Sequence, residues 1–309
     1  MKRFFIKTLG IVIIFIFAKT SSLSAEPKNE FLDKYATTLG IIQGATEFLP
    51  ISSTAHMIIF ERVVTPRHSG CQQNITPNGH TIHEFGIVIQ LGSVLAMIFL
   101  YFNRIKLILS GIFFLNIAGL NLLLKLIFGV IPCVIVGLMI SDFLKKLCTP
   151  SYLATSLAIG ALIMLLAENF YEKTKKEKKE NFDEISYKNA LFIGLCQCIA
   201  FIPGASRSMT TIVGGYLSNL SRSVSIEFSF LLGTVTMTLA ATYKLLFSSA
   251  NLMGTIPLSC SIKGTLAAFI TSLLLMKLSI YILKRYGLYL FAIYRILLAT
   301  TIIFLVNFT

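Results

Sequence analysis

The sequence predicts an all-α polytopic membrane protein: six transmembrane helices and two re-entrant helical hairpins in an inverted-topology repeat, preceded by a signal-like segment. Three observations carry this. Of 309 residues, 55% are hydrophobic and only 13% are charged, against about 25% charged in a soluble protein. The apolar residues form long continuous runs that continue to the C-terminus, which excludes a soluble enzyme and a soluble enzyme on a single anchor. Two of the apolar stretches are broken near their middles by Pro and small polar residues, and these two resemble each other.

Residues 1–25 read as a signal-peptide-like segment, either cleaved or kept as a signal anchor. Lys2, Arg3 and Lys7 precede an apolar run from Leu9 to Ala18, and the small, polar stretch from Ser21 to Ala25 suits cleavage after Ala25. Residues 26–309 then form one membrane-embedded domain, with repeat 1 near 35–170 and repeat 2 near 188–307. Six runs reach the length of a span, about 20 residues: 84–102, 122–141, 151–170, 226–247, 262–284 and 288–307. Basic residues orient them. Asn103-Arg104-Ile105-Lys106 follows the first, the run 172–188 follows the third, and Lys284-Arg285 follows the fifth. Those ends therefore face the cytoplasm, while loops 142–150 and 248–261 and the C-terminus face outward. Lys145 and Lys146 fit this orientation poorly.

Topology accounts for most of the formal net charge of +13, and no basic face with interleaved aromatics points to nucleic acid. The run 172–188 carries six Lys against five acids and reads as a solvated cytoplasmic loop. The six Cys follow no framework spacing, and Cys196 with Cys198 reads as apolar filler in preference to a metal or redox pair.

The interrupted stretches are Tyr35–Phe60 and Lys188–Leu217. The first contains Phe48-Leu49-Pro50-Ile51-Ser52-Ser53-Thr54 and the second Phe201-Ile202-Pro203-Gly204-Ala205-Ser206-Arg207-Ser208. Such backbone cannot face lipid, because a broken helix leaves N–H and C=O groups unsatisfied; it belongs where protein or a wet cavity surrounds it. Each stretch is expected to enter to mid-depth, turn at its Pro and leave on the side it entered. Gly40-Ile41-Ile42-Gln43 aligns with Gly194-Leu195-Cys196-Gln197, and Glu84-Phe85 and Glu227-Phe228 open the spans that follow. Three spans separate the copies, so the second is inverted. Inverted repeats with broken helices bring their polar turns together near the midplane, with helix N-termini aimed at an anion.

Few residues there can do chemistry. The chain has 14 acids, most of them in loops or tails, whereas Glu47 lies four residues after Gln43 on one helix face beside the first turn. An intramembrane carboxylate is costly and marks function. His56, the one His of four in an apolar run, follows Ser53 by three residues and joins this set. Arg207, between Ser206 and Ser208 in the opposite turn, suits phosphate oxygens.

The stretches Gln43-Gly44-Ala45-Thr46-Glu47-Phe48-Leu49-Pro50-Ile51-Ser52-Ser53-Thr54-Ala55-His56 and Pro203-Gly204-Ala205-Ser206-Arg207-Ser208-Met209-Thr210-Thr211 resemble the two signature motifs of the undecaprenyl-diphosphate phosphatase family, also known as bacitracin-resistance proteins. The resemblance extends through nearly all of 35–307, including Glu227-Phe228-Ser229-Phe230-Leu231-Leu232 and Phe291-Ala292-Ile293-Tyr294-Arg295. It implies removal of the terminal phosphate from the C55 isoprenyl diphosphate, which regenerates the monophosphate carrier for peptidoglycan synthesis and confers bacitracin resistance. It also implies an outward-facing site in a bacterial inner membrane and a divalent cation, Mg²⁺ or Ca²⁺.

On this resemblance Glu47, Ser53, His56 and Arg207 are expected to be catalytic, with Glu47 also a metal ligand. Gln43, Ser52, Gly204, Ser206, Ser208 and Thr211 are expected to contact substrate. The nucleophile stays open among Ser53 activated by Glu47 or His56, His56 itself, and a water positioned by Glu47. Gln43 stands where the family takes Glu or Gln, and Met209 replaces a small residue. The longer loop 61–83, with His68, Cys71, His80 and His83, matches no zinc-site spacing and reads as an exposed loop. The competing class is a transporter or flippase of isoprenyl phosphate lipids, and a homodimer is compatible with either.

Overall fold

The computed structural model describes residues 30–64, 79–144, 149–174, 178–247 and 256–308. The signal-like segment, Lys145, Lys146, His68 and Cys71 lie outside these residues, as do the side chains of His80 and His83. The described chain is helical: α1 Glu30–Thr46, α2 Ser53–Val64, α3 Gly79–Leu100, α4 Phe102–Phe114, α5 Ile117–Leu144, α6 Pro150–Lys173, α7 Tyr187–Cys198, α8 Arg207–Leu217, α9 Arg222–Phe247, α10 Leu258–Tyr286 and α11 Tyr289–Phe308. The chain is a multi-pass membrane protein. Helices α5, α6, α9 and α10 are each long and apolar enough to cross a bilayer, and α5 and α10 turn large apolar side chains such as Leu124, Ile131, Leu138, Leu266 and Leu274 outward.

Local chemistry sets several boundaries. Thr149 caps α6, its Oγ1 accepting from the Tyr152 N–H ahead of Pro150 at the first helical position. Ser186 and Asn189 form a capping box at the start of α7. Helix α10 ends at Gly287, which has φ 62° and lies against the Glu168 carboxylate where a Cβ would collide.

One element was not foreseen and one expectation needs correction. After the first span, α3 stops at Leu100, the axis bends by 84°, and α4 follows. Leu115, at φ 53°, then turns the chain so that Gly111 and Gly119 bring the backbones of α4 and α5 into contact. The run 172–188 is not simply solvated. Lys178 is buried, its Nζ donating to Tyr216 O at 2.8 Å and Asn219 Oδ1 at 3.2 Å, and Phe182 packs in the core. The carbonyls at the end of α8 satisfy that ammonium, which a count of Lys and Glu cannot reveal.

Both interrupted stretches form hairpins that return to the side they entered. Tyr35 and Phe60 pack edge-to-face at the mouth of the α1–α2 hairpin, with ring centroids 5.3 Å apart. At the mouth of the α7–α8 hairpin, Asn189 Nδ2 donates to Ser218 O at 3.2 Å. Helix α10 measures their relation. Its Cys260 thiol donates to Asp33 of α1 at 3.1 Å. Near its other end, Lys284 O accepts from Arg222, just past α8, at 3.2 Å. Twenty-four residues of helix separate those contacts, about 36 Å at 1.5 Å per residue, so the hairpins open to opposite ends of the molecule.

The basic ends gather at one of these ends. Arg222 bonds Glu168 and Glu172 at the close of α6 as well as Lys284 O, and Arg104 pairs with Glu227 at 2.7 Å. A buried cluster that includes Phe48, Ile51, Met97, Met164, Met209, Phe230 and Met276 surrounds the place where the two hairpin turns meet.

Candidate active site

The site is built from the two turns. In the first, Glu47 N–H still bonds Gln43 O at 3.0 Å, so Glu47 sits one helical turn beyond Gln43. Its carboxylate receives three donors: Gln43 Nε2 at 2.7 Å and Ser53 Oγ at 2.7 Å on Oε2, and Arg207 Nη2 at 3.1 Å on Oε1. These arrive from α1, α2 and α8. Exposure of the Glu47 and Arg207 side chains is 9% and 12%, so the pair is largely desolvated while still reachable. The Gln43 amide orientation follows from the bond, because the carboxylate only accepts and the amide must present nitrogen. Gln43 Oε1 is left buried without a partner.

Arg207 opens α8. Its guanidinium lies over the Phe48 ring at 5.5 Å and touches Met237 Sδ, while Nη1 is buried without a hydrogen-bond acceptor. Space for it depends on Gly233 of α9, where a Cβ would overlap the guanidinium. Helices α2 and α8 both begin at this point, so two positive dipole ends converge beside a cation that still has an N–H to give.

Ser52 and Ser206 occupy matching positions. Each immediately precedes its helix and has positive φ, 70° and 69°, a strained conformation for a residue with a Cβ. Between Pro and Ser the second turn holds one more residue than the first, Gly204-Ala205 against Ile51, and Gly204 has φ 93°. Ser52 caps α2 through its Oγ and the Ala55 N–H at 3.3 Å. Ser208 Oγ donates to Leu49 O at 2.8 Å and so ties the second turn to the first; Ser206 Oγ lies 3.2 Å from Ser208 Oγ.

Gln43, Glu47, Ser53 and Arg207 therefore come together, with Ser206 and Ser208 beside them. His56 and Thr211 do not join them. The His56 ring engages Ser52 O at 2.8 Å and Tyr294 Oη at 2.6 Å. Thr211 is fully buried between α8 and α9, bonded to Arg207 O and Ser229 Oγ. Gly204 contributes shape and a carbonyl.

That carbonyl leads to Arg295, which the sequence reading did not assign to the site. Arg295 is wholly buried in α11 and donates to five backbone oxygens: Pro50 at 3.3 Å, Gly204 at 2.9 Å, and Ala205, Ser156 and Leu157 each at 3.2 Å. It thus clamps both turns to α6, in room left by Gly160. A lone Arg inside a full apolar span was the signal available for it.

Comparison with known proteins gives the family. The family profile described as "Bacitracin resistance protein BacA" matches residues 36–301. Proteins named undecaprenyl-diphosphatase are similar to the chain: that of Acinetobacter baumannii is 37% identical over 269 residues, covering 87% of this chain and 93% of that protein. The Campylobacter fetus protein is 36% identical over 268 residues, covering 86% and 95%, and the Clostridium tetani protein 34% over 274 residues, covering 88% and 96%. The match spans both hairpins, the clamp and the helices that carry them, and the chain belongs to the BacA family of bacitracin resistance proteins.

Proposed function

We propose that this chain is an integral membrane phosphatase that hydrolyses undecaprenyl diphosphate to undecaprenyl phosphate and phosphate, recycling the lipid carrier for peptidoglycan synthesis. One observation carries the site assignment: a serine hydroxyl donates to a carboxylate that is itself held by an Arg with an N–H to spare. Arg207 and the two helix N-termini bind the diphosphate. Ser53 Oγ attacks the terminal phosphorus while Glu47 takes its proton; the bond from that phosphorus to the bridging oxygen breaks, and undecaprenyl phosphate leaves with the electron pair. Glu47 returns the proton to the leaving phosphate, then activates a water that releases phosphate from Ser53. A carrier of lipid phosphates needs no nucleophile hydrogen-bonded to a base, so this pair favours hydrolysis over transport.

A divalent cation fits the donor set as a companion of the diphosphate. Glu47 and the buried, unpartnered Gln43 Oε1 are the protein oxygens that would hold it. Among the described residues no cluster of three His, Cys, Asp or Glu forms a separate cage. When bound, Mg²⁺ or Ca²⁺ would offset negative charge on the leaving phosphate. The basic ends of α6, α9 and α10 face the cytoplasm on this reading, so the α1–α2 hairpin opens to the periplasmic side of a bacterial inner membrane.

The test is phosphate release from a long-chain isoprenyl diphosphate by the detergent-purified protein, with and without EDTA. Release that EDTA suppresses supports the reading. Movement of the lipid between leaflets of liposomes with no phosphate released contradicts it.

A further inference from the structure

His56 and Tyr294 form a pair that the mechanism above does not use. Both ring nitrogens of His56 are engaged, and neither touches Ser53 or Glu47. Nδ1 lies 2.8 Å from Ser52 O; a carbonyl has no proton to give, so Nδ1 carries the hydrogen. Nε2 lies 2.6 Å from the Tyr294 hydroxyl, and in the neutral ring it accepts from that hydroxyl. The two rings are within 5° of parallel, with centroids 5.6 Å apart.

The carbonyl gripped by His56 belongs to the residue at φ 70° directly before Ser53. A positive φ at a non-glycine residue persists only where the surroundings impose it. The main-chain N–H of His56 reaches the same oxygen only at 3.4 Å, so the side-chain bond is the shorter restraint. Arg295, the residue after Tyr294, holds Pro50 O in the same turn at 3.3 Å. Adjacent residues of α11 thus fix the turn on both sides of Ile51.

We infer that His56 is a positioning residue and that Tyr294 acts through it: Tyr294 orients the imidazole, the imidazole holds the Ser52 carbonyl, and Ser53 Oγ is thereby kept 2.7 Å from Glu47. No proton is exchanged between His56 and the substrate. The inference rests on the phosphatase reading, with Ser53 as the attacking group.

Substitution separates positioning from acid–base work. Asn at position 56 carries an amide N–H near the place of Nδ1 and cannot act as a base; Gln extends its amide toward the place of Nε2. In His56→Ala and His56→Gln, kcat should fall by roughly 10- to 100-fold with KM changed less than about twofold, since misplacement of a reacting atom by about 1 Å costs up to about 100-fold. His56→Asn should restore most of that kcat. Tyr294→Phe should lower kcat several-fold in the parent and have no effect in the His56→Asn background, as expected when one residue acts only through another.

Melting temperature in the same detergent establishes that each variant is folded, and the near-isosteric His56→Asn and Tyr294→Phe serve if the Ala form is not. His56→Asn as inactive as His56→Ala would overturn the inference in favour of proton transfer. An equal loss from Tyr294→Phe in both backgrounds would overturn the link through His56. A parent protein that releases no phosphate would refute the phosphatase reading itself, whereas an active parent with an inactive His56→Asn refutes only this inference.

Discussion

Glu47 binds three donors at once, and each has a different consequence for the chemistry. On the proposed mechanism the Ser53 bond readies a nucleophile, the Gln43 bond fixes the carboxylate, and the Arg207 bond balances its charge until a phosphate competes for the guanidinium. Removing the hydroxyl in Ser53→Ala should lower kcat by about 100-fold or more, in the range typical of lost acid–base or nucleophilic groups. Arg207→Lys should not rescue Arg207→Ala, because a single ammonium lacks the rigid fork that presents separate N–H groups to Glu47 and to a phosphate; steady-state phosphate release checks both. Arg295 belongs to stability as much as to the site. In Arg295→Met five buried carbonyls lose their donor, and a single unsatisfied group costs about 1–3 kcal/mol, so thermal unfolding in detergent should shift strongly downward. Glu47 and Arg207 were legible in the sequence because charge in an apolar stretch is expensive. Arg295 carried the same signal, but it lies in a run with no Pro or polar break, so the span reading absorbed it. The His56–Tyr294 contact, across 238 positions of chain, left no local trace.

At the level of elements, the hairpins were legible because Pro50 and Pro203 interrupt otherwise apolar stretches, and spans α5, α6, α9 and α10 because lipid demands length and apolarity. Helix α4 was not, since the residues after Arg104 are apolar without reaching the length of a span, and it is the Leu115 turn and the Gly111–Gly119 contact that fold them back on α5. Glycines also decide how closely the hairpins approach their supports. At Gly44 a Cβ would lie 2.5 Å from Ala268 O of α10, so α1 can carry Glu47 into place only with a bare Cα there. Gly44→Val should destabilise the protein by about 1–3 kcal/mol through overpacking and depress phosphate release with it. The measurement is a paired melt and activity assay, and a lowered melt with unchanged release would separate α1 packing from the position of Glu47.

The whole molecule is two halves that need each other. Hairpin helix α1 packs on α10 of the other half, through Gly40 and Gly44 against Gly264 and Ala268, and α7 packs on α5 through Gly194 against Gly129. Neither half holds the site alone, because Glu47 and Ser53 come from the first turn and Arg207 from the second. The opposite openings of the hairpins make a topological prediction. In membrane vesicles, cysteines introduced at Glu30 and at Ser223 should react, above the parent's background, with an impermeant thiol reagent applied from opposite sides. That inversion was legible from the odd number of spans between the copies, whereas the clamp joining the two turns depends on tertiary contacts of α11 with both. The most direct test of the account is phosphate release from undecaprenyl diphosphate by Glu47→Gln, which keeps the side chain's size and removes its charge. The predicted result is a loss in kcat of about 100-fold or more in a protein that still melts cooperatively, below the parent because Arg207 loses its counter-charge. Release within about threefold of the parent would contradict the account.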